Sequence, residues 1–223
     1  MIGSRPGSSA NPWGRPLIIG HRGFPARFPD NSLAGIQAAL DAGADGVEVD
    51  VRPSVEGVWV CHHDRSRGGR PVSSWPLADL RSAAVPTLAA VVDLLPPAAW
   101  LYVEVKPLPF ASLTRLVDPL LRLLEPRSAT TRILSSSRTI LGFFQCLAPR
   151  LPRSWVVNEV PAHPVTGLEL SPHHPLVERL LGHGVPLHPW TVNRRARMVE
   201  LARMGVASIT TNHPDRAVEA LRG

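Results

Sequence analysis

The sequence predicts a single domain of the α/β class, a (β/α)₈ barrel of the TIM type. Apolar runs that look like strands alternate with helix-like segments, which is the pattern of a parallel sheet with helical crossovers. A chain of 223 residues with 44% hydrophobic and 19% charged residues can bury one large core. Polar residues follow nearly every strand-like run, as expected where functional groups gather at the carboxyl ends of barrel strands.

Nine runs read as strands, one more than a barrel needs. They span residues 17–20, 47–51, 58–62, 100–105, 132–136, 154–158, 168–171, 185–192 and 207–211. We expect that either 153–157 or 168–171 is irregular. A doubly wound open sheet is the rival architecture, but neither GxGxxG nor a P-loop follows the first run to support it.

Eight segments read as helices. In the first, Leu33, Ile36 and Leu40 share one face, while Ser32 or Asn31 can cap the start and Gly43 the end. The eight segments span residues 32–43, 77–83, 88–95, 113–124, 138–148, 176–184, 194–205 and 214–223.

Charge and cysteine content narrow the function classes. The net charge is +6, but the arginines are scattered without interleaved aromatics, so we expect no nucleic-acid partner and leave weak contact with anionic lipid open. Cys61 and Cys146 lack CxxC spacing, which disfavours zinc and dithiol redox sites.

Without a signal-peptide core or a long apolar run, we expect a cytoplasmic protein with no stable membrane insertion. The Gly-, Ser- and Pro-rich residues 1–16 are predicted to be a flexible tail before a domain of residues 17–223.

Acidic residues at two strand ends point to a cation. Glu48 and Asp50 are two residues apart and share a face, and Glu104 can join them from another strand end. Three carboxylates in one place repel one another unless a cation lies between them, and oxygen ligands suit Mg²⁺ or Ca²⁺ rather than zinc. The alternative is that Glu48 and Asp50 pair with Arg22 and Lys106 without a metal.

Lys106 is the only lysine, since the other 23 of the 24 basic residues are arginines. In the stretch YVEVKP it shares a strand face with Glu104. A compact ammonium fits a tight polar site that a planar guanidinium does not. We therefore expect an enclosed carboxylate and ammonium pair here, either as a buried salt bridge or as part of a site for a metal ion and an anion.

Two histidines, His21 and His63, also end strand-like runs, and such a pair can act as general base and general acid. The histidines in loops or turns, among them His173, His174 and His188, are expected to be solvated or capping.

The short connection between 47–51 and 58–62 decides whether His63 can join the acids. A tight hairpin there would send His63 to the opposite end from Glu48. We therefore expect residues 51–57 to return outside the barrel as an extended crossover, which about 3.3 Å per residue allows. Antiparallel pairing of the two runs would contradict the site.

Seven motifs in this order resemble the glycerophosphodiester phosphodiesterase family, over about residues 17–218. They are HRG (21–23), PDNS (29–32), GADGVEVDV (43–51), VWVCHHD (58–64), VEVK (103–106), PWTVN (189–193) and VASITTNHP (206–214). The resemblance implies a (β/α)₈ barrel, one divalent cation, and hydrolysis of small glycerophosphodiesters to an alcohol and glycerol 3-phosphate through a cyclic phosphate.

The resemblance also implies a role for each matching residue. The assignments are Glu48, Asp50 and Glu104 as cation ligands, His21 and His63 as the acid–base pair, Arg22 and Lys106 at the phosphate, and Trp190 beside the glycerol. Which histidine starts as the base is left open.

The chain departs from the family pattern at several places. PDN replaces PEN at Asp30, Ala89 and Ala90 replace acids, Ser137 is followed by Arg138, and TN stands for TD at Asn212. The insertion between the third run and residue 85 is short, so the mouth is expected to be open. A lysophospholipase D-like or phospholipase-like activity, and a non-catalytic phosphate-binding barrel, therefore remain alternatives. A metal amidohydrolase is disfavoured, because its first strand would carry His-x-His.

Overall fold

Parallel strands form most of a barrel wall. The structure, a computed structural model, describes residues 14–162 and 167–223. Its strands are β1 (Leu17–His21), β2 (Gly46–Pro53), β3 (Trp59–Cys61), β4 (Ser66–Arg67), β5 (Arg70–Pro71), β6 (Trp100–Val105), β7 (Thr131–Ser135), β8 (Arg153–Val157), β9 (Glu169–Pro172) and β10 (Ser208–Thr211). The wall follows the order β10, β1, β2, β6, β7, β8 and β9, and each neighbouring pair is parallel.

An irregular segment, residues 187–192, fills the eighth position between β9 and β10. The N–H groups of His188 and Trp190 donate to β9 carbonyls at 2.8 and 3.0 Å, and Pro189 accepts a 3.0 Å bond from Thr210 on β10. Because Pro189 has no N–H group, a regular ladder cannot run through this segment. These bonds close the ring, and the predicted (β/α)₈ barrel is confirmed.

The prediction that either 153–157 or 168–171 is the irregular strand was wrong. The runs 153–157 and 168–171 both belong to regular parallel strands, β8 and β9. The irregular member of the barrel is the proline-containing segment 187–192, and the run that lies outside the parallel wall is β3.

The eight predicted helices are confirmed, with ends that differ by a few residues. They are α1 (Leu33–Asp41), α2 (Leu77–Ser82), α3 (Leu88–Leu94), α4 (Phe110–Leu124), α5 (Arg138–Leu147), α6 (Val177–Leu180), α7 (Arg195–Arg203) and α8 (Pro214–Arg222). Ser32, Thr87 and Ser137 cap α1, α3 and α5 by accepting a bond from a first-turn N–H group. In the part of the chain that is described, no helix is long and apolar enough to cross a bilayer.

The connection between β2 and β3 is a hairpin rather than the expected extended crossover. The two strands are antiparallel, with Val51 opposite Cys61. The turn occupies residues 54–58, after the carboxyl end of β2. The returning arm continues until the N–H of His62 donates to the carbonyl of Asp50 at 2.9 Å.

The expectation that antiparallel pairing would carry His63 to the far end of the barrel was therefore wrong. It assumed a hairpin within the barrel wall. Instead, β2 pairs with β6 as far as Val51, and only the residues from Val51 to Pro53 pair with β3. The hairpin stands on the carboxyl rim, so its returning arm ends level with Asp50.

The segment between β3 and α3 is a small cap. It holds the two-stranded sheet β4–β5, a short 3₁₀ helix at Val72–Ser74 and α2. Its own apolar cluster consists of Val60, Val72, Leu80 and Val85. The short insertion predicted here is thus present, and it follows directly after His63.

Alternation along the strands divides the barrel into an inner and an outer layer. Inside, Ile19, Tyr102, Leu134 and Val156 form one buried cluster. Their neighbours in sequence point outward and pack against the helices, in two larger clusters. The same period of two places polar side chains from the ends of β1, β2 and β6 on the inner face.

A polar cluster fills the amino-terminal end of the barrel. His188 Nε2 lies 2.8 Å from Glu169 Oε2, and its Nδ1 lies 2.8 Å from Ser208 Oγ. Arg132 also contacts Glu169. Burial, and then the charge of Arg132, hold the pKa of His188 well below its usual value, so the ring is neutral. The expectation that His188 is solvated or capping was wrong.

Asp45 ties both ends of the domain to the barrel. Its carboxylate accepts two hydrogen bonds from Arg15 at 2.7 and 2.9 Å, one from Arg222 at 2.7 Å and one from the N–H of Ile18 at 2.8 Å. Burial acts to raise the pKa of Asp45, but these bonds and the two guanidinium charges hold it below its usual value. The ionised carboxylate therefore stabilises the fold.

We predict that Asp45→Asn lowers the free energy of unfolding by about 1–3 kcal/mol at pH 7, because the hydrogen bonds from Arg15 and Arg222 lose their anionic acceptor. Since the folded-state pKa is depressed, this contribution is present above about pH 4 and is lost as the pH falls further. Urea unfolding of both proteins between pH 7 and pH 3.5 should show the difference shrinking. Asp118→Asn, at an exposed position on α4, is the control. A difference that grows in acid would contradict the prediction.

Candidate active site

Three carboxylates meet inside the carboxyl rim of the barrel. Glu48 and Asp50 both point inward from β2, and the strand register places Asp50 beside Glu104 on β6. One oxygen of each acid lies within 4.8 Å of the others, and Glu48 and Asp50 are almost fully buried. The cluster therefore follows from period-two alternation on two neighbouring strands.

Lys106 and Arg22 partly neutralise the cluster. Lys106 Nζ lies 2.8 Å from Asp50 Oδ1 and 2.7 Å from Glu104 Oε1. Arg22 Nε lies 3.0 Å from Asp50 Oδ2, and the N–H of Arg22 donates to Glu48 Oε2 at 3.1 Å. Two cations thus stand against three carboxylates, which leaves an excess of negative charge if all three are ionised.

The turn after β1 brings Arg22 into this position. Arg22 has φ 54° and Gly23 has φ 86°, both in the left-handed region. A Cβ on Gly23 would lie 2.7 Å from the backbone of Gly35 in α1, so only glycine allows this close approach. The turn therefore folds back against α1 and aims the N–H of Arg22 at Glu48.

Asn31, one of the two residues that the sequence offered as a cap for α1, is instead a buried support for Asp50. Its Nδ2 donates to Asp50 Oδ2 at 3.1 Å, and its Oδ1 accepts from the N–H of Asp50 at 3.1 Å. Asn31 adopts φ 59°, a left-handed conformation that asparagine tolerates better than most residues. The only signal in the sequence is its place in the PDN motif.

The pKa values of the two acids on β2 shift in opposite directions in this environment. Burial acts to raise the pKa of Asp50, but Lys106 and Arg22 hold it below its usual value. Burial, and then the charges of Asp50 and Glu104, raise the pKa of Glu48 well above its usual value. Glu48 is therefore the acid that the cluster leaves least compensated.

The residues fit a divalent cation. Glu48 Oε1 is buried and has no hydrogen-bond partner among the described residues, and it belongs to the three-carboxylate cluster. A buried carboxylate oxygen without a partner is costly, and a cation bound there would remove that cost. An all-oxygen set of carboxylates is the ligand type that Mg²⁺ and Ca²⁺ prefer.

His21 lies at the rim beside this cluster. Its Nε2 is 4.0 Å from Glu48 Oε2, and its Nδ1 is 2.7 Å from Asn212 Oδ1. Because the Asn212 oxygen can only accept, Nδ1 carries the proton and Nε2 has a free lone pair. Burial, and then the charge of Arg22, lower the pKa of His21 to about 4, so the ring is neutral near pH 7.

Asn193 extends this chain of contacts. Its Oδ1 accepts from the N–H of Asn212 at 2.9 Å and lies 3.3 Å from Thr211 Oγ1. The segment that closes the barrel thereby fixes the residue that holds His21.

His63 is placed at the rim by its backbone. Arg52 donates two hydrogen bonds to the His63 carbonyl oxygen, at 3.0 Å from Nε and 2.9 Å from Nη2. The side chain is 41% exposed, and its Nδ1 lies 2.9 Å from Asp64 Oδ1. Within the described residues, no hydrogen bond or ion pair joins the His63 imidazole to Glu48, Asp50 or Glu104.

Trp190 stands at the same end of the barrel, on the closing segment. Its Nε1 donates to the carbonyl of Ser171 at 2.8 Å, and its ring lies 5.8 Å from the ring of His173. Trp190 packs partly against the inner apolar cluster. Its half-buried ring can therefore form one wall of a pocket, with His173 beside it.

Two departures from the family pattern can now be located. Asp30 reaches Arg22 despite its shorter side chain, with Asp30 Oδ2 2.6 Å from Arg22 Nη1. Arg138 lies over the ring of Trp155 at 5.2 Å. Trp155 packs with the outward-facing clusters, so Arg138 lies outside the barrel wall and not in its mouth.

Together, the fold and the rim define a (β/α)₈ barrel enzyme whose acids, bases and cations suit a phosphate ester. The sequence profile described as "Glycerophosphoryl diester phosphodiesterase family" matches residues 21–118 and 147–216. The chain belongs to this family and is a glycerophosphodiester phosphodiesterase.

Named relatives agree with this assignment. The chain is 31% identical to the Mycobacterium tuberculosis protein called "Probable glycerophosphodiester phosphodiesterase 1", over 91% of each chain. A glycerophosphodiester phosphodiesterase structure from Parabacteroides distasonis superposes with TM-score 0.79 at 22% identity, covering 91% of this chain and 95% of that one. An Oleispira antarctica phosphodiesterase, solved with the product sn-glycerol-3-phosphate, superposes with TM-score 0.80 at 20% identity, covering 92% and 96%. At these identities the two structures support the fold.

We predict that Mg²⁺ or Ca²⁺ stabilises the wild-type protein and that Glu104→Gln removes most of this effect. At a cation concentration about 100 times Kd, mass action gives about 2.7 kcal/mol of stabilisation. Thermal melting with and without each cation measures it. Glu219→Gln, at a site 69% exposed on α8, is the control and should respond like wild type. Equal cation responses in wild type and Glu104→Gln would place any cation elsewhere.

We also predict that Lys106→Arg lowers kcat about 100-fold, although it keeps the charge. The ammonium bridges Asp50 and Glu104 at 2.8 and 2.7 Å, and a planar guanidinium cannot occupy that position without displacing one of them. Steady-state kinetics measure the loss, with the exposed exchange Arg194→Lys as control. Activity within twofold of wild type would show that this position needs only a positive charge.

Proposed function

We propose that this protein hydrolyses small glycerophosphodiesters to an alcohol and glycerol 3-phosphate, with one divalent cation and two-histidine acid–base catalysis. The observation that carries the proposal is the three-carboxylate cluster in which Glu48 Oε1 has no hydrogen-bond partner among the described residues. The other oxygen of Glu48, Oε2, lies 4.0 Å from the free Nε2 of His21. The relative from Oleispira antarctica holds the product that this reaction would release.

Glu48, Asp50 and Glu104 would hold the cation, either Mg²⁺ or Ca²⁺. When bound, it would supply Lewis-acid polarisation of the phosphoryl group and of a substrate hydroxyl. Arg22 and Lys106 would bind the phosphate oxygens, because both present positive charge at the edge of the acidic cluster. Trp190 would line the glycerol side of the pocket.

His21 and His63 would move the protons. One ring accepts the proton of a glycerol hydroxyl, whose oxygen then bonds to phosphorus to form a cyclic phosphate. The other ring donates a proton to the oxygen of the departing alcohol as its bond to phosphorus breaks. Water then opens the cyclic phosphate with the two roles reversed, which returns both rings to their starting states. His21 is neutral and its Nε2 has a free lone pair, so this nitrogen is able to accept a proton.

The alternatives have less support. The family profile and relatives such as the Mycobacterium tuberculosis protein carry the phosphodiesterase name, and they do not favour a lysophospholipase D-like reaction or a non-catalytic binder. The cytoplasmic location and a weak contact with anionic lipid stay predictions.

An assay on a panel of glycerophosphodiesters, with and without chelator, tests the proposal. We expect chelator to abolish activity, Mg²⁺ or Ca²⁺ to restore it, and His21→Ala to lower kcat about 10²- to 10⁴-fold. His183→Ala, at the end of the barrel opposite the rim, is the control. Activity that survives chelator and both His21→Ala and Glu104→Gln would end the proposal.

Two further readouts separate the alternatives. Release of choline from lysophosphatidylcholine in preference to glycerophosphocholine would favour the lysophospholipase D-like reaction. Binding of glycerol phosphate in the presence of metal, without turnover of any diester, would favour the non-catalytic barrel.

A further inference from the structure

Arg52 has a half-buried guanidinium whose role neither the family motifs nor the proposed reaction assigns. It lies two residues after Asp50 on β2, so alternation places it on the same face as Glu48 and Asp50, one step nearer the rim. Asp50 and Glu104 are among the charges that act on it. Such a cation can either bind the substrate or hold a part of the protein in place, and its contacts distinguish these two roles.

Both hydrogen bonds that this guanidinium donates within the described part of the chain go to the main chain of His63. Nε and Nη2 donate to the same carbonyl oxygen, at 3.0 and 2.9 Å. Adjacent donors of one planar group converge on one acceptor, which a lysine cannot reproduce. The contact is charge-assisted and part-buried, so it is stronger than an ordinary hydrogen bond at the surface.

The backbone around His63 needs such a contact. Regular pairing of β3 ends at Cys61, and among the described residues the bond from His62 to the Asp50 carbonyl is the last backbone hydrogen bond to β2 before the chain turns into the cap. At His63 the ladder is over, and the residue leaves the strand with its imidazole 41% exposed. Without a further contact the carbonyl would face solvent and the segment would be free to move.

We propose that Arg52 is a positioning residue that holds the His63 backbone at the carboxyl rim, so that the His63 imidazole can reach the reacting phosphate ester. This inference rests on the proposed role of His63 as an acid–base residue. It explains how the β2–β3 hairpin, which folds back on itself, still delivers a histidine to the level of the acids. Arg52 acts through His63 and does not touch the reacting atoms.

The test compares Arg52→Lys, which keeps the charge but not the planar pair of donors, with Arg67→Lys. Arg67 is a matched control, because it also donates to a backbone carbonyl in the cap, that of Ala83 at 3.3 Å. We expect Arg52→Lys to lower kcat about 10- to 100-fold with KM within twofold, as for a misplaced catalytic group. Arg67→Lys should leave both constants within twofold.

Amide hydrogen exchange supplies a readout that does not depend on turnover. In Arg52→Lys the peptide covering residues 60–66 should exchange faster, while peptides from β6 and α8 keep the wild-type rate and thermal melting shows the protein folded. Unchanged exchange in residues 60–66 would overturn the proposal. A rise in KM with kcat unchanged would also overturn it, because Arg52 would then bind the substrate phosphate directly.

His63→Ala distinguishes a failure of this inference from a failure of the proposed function. If His63→Ala keeps the wild-type kcat, two-histidine catalysis fails, and the positioning role fails with it. If His63→Ala loses activity while Arg52→Lys keeps it, the proposed function stands and the positioning role alone is wrong. If both lose activity, the double variant should be no slower than His63→Ala, since Arg52 has no other route to the reaction.

Discussion

The structure of the rim depends on one constraint: three carboxylates lie close together, and neighbouring positive charges must offset their mutual repulsion. Asp50 and Glu104 are neighbours in register on β2 and β6, and Glu48 shares the inner face of β2. Lys106 bridges the first two at 2.8 and 2.7 Å. This arrangement leaves Glu48 the least compensated of the three acids, with a raised pKa and one buried oxygen that has no partner among residues 14–162 and 167–223. The acid without full pairing, rather than the paired ones, is what suits this cluster to the proposed cation.

Period-two alternation explains why so much of this rim could be predicted from the sequence. Glu48, Asp50, Glu104 and Lys106 lie on two apolar strands whose faces are unambiguous, and parallel strands share one carboxyl end. The β2–β3 connection could not be predicted in this way. A seven-residue link is long enough for either a crossover or a hairpin, and alternation does not say whether a hairpin stands within the wall or above it.

The residues that the sequence reading missed are mostly neutral or serve as supports. Asn31 and Asn212 have no charge to mark them, and their roles appear only when Asp50 and His21 are found 3.1 and 2.7 Å away. His188 did carry a signal, since it lies within a strand-like run, but the neighbouring prolines suggested a turn. Arg52 was hidden among 23 arginines, and only its two bonds to a single carbonyl set it apart.

The departure at Asp30 has a consequence for how Arg22 can serve a substrate. Arg22 is shared between two acids of unequal burial, since the side chain of Asp50 is 1% exposed and that of Asp30 is 49% exposed. An exposed pair contributes little in water, whereas breaking a buried pair is costly. A phosphate oxygen can therefore displace Asp30 from Nη1 at small cost while Nε stays with Asp50. In the proposed site, Arg22 would thus remain paired with Asp50 and would still offer an outward-facing donor to the phosphate.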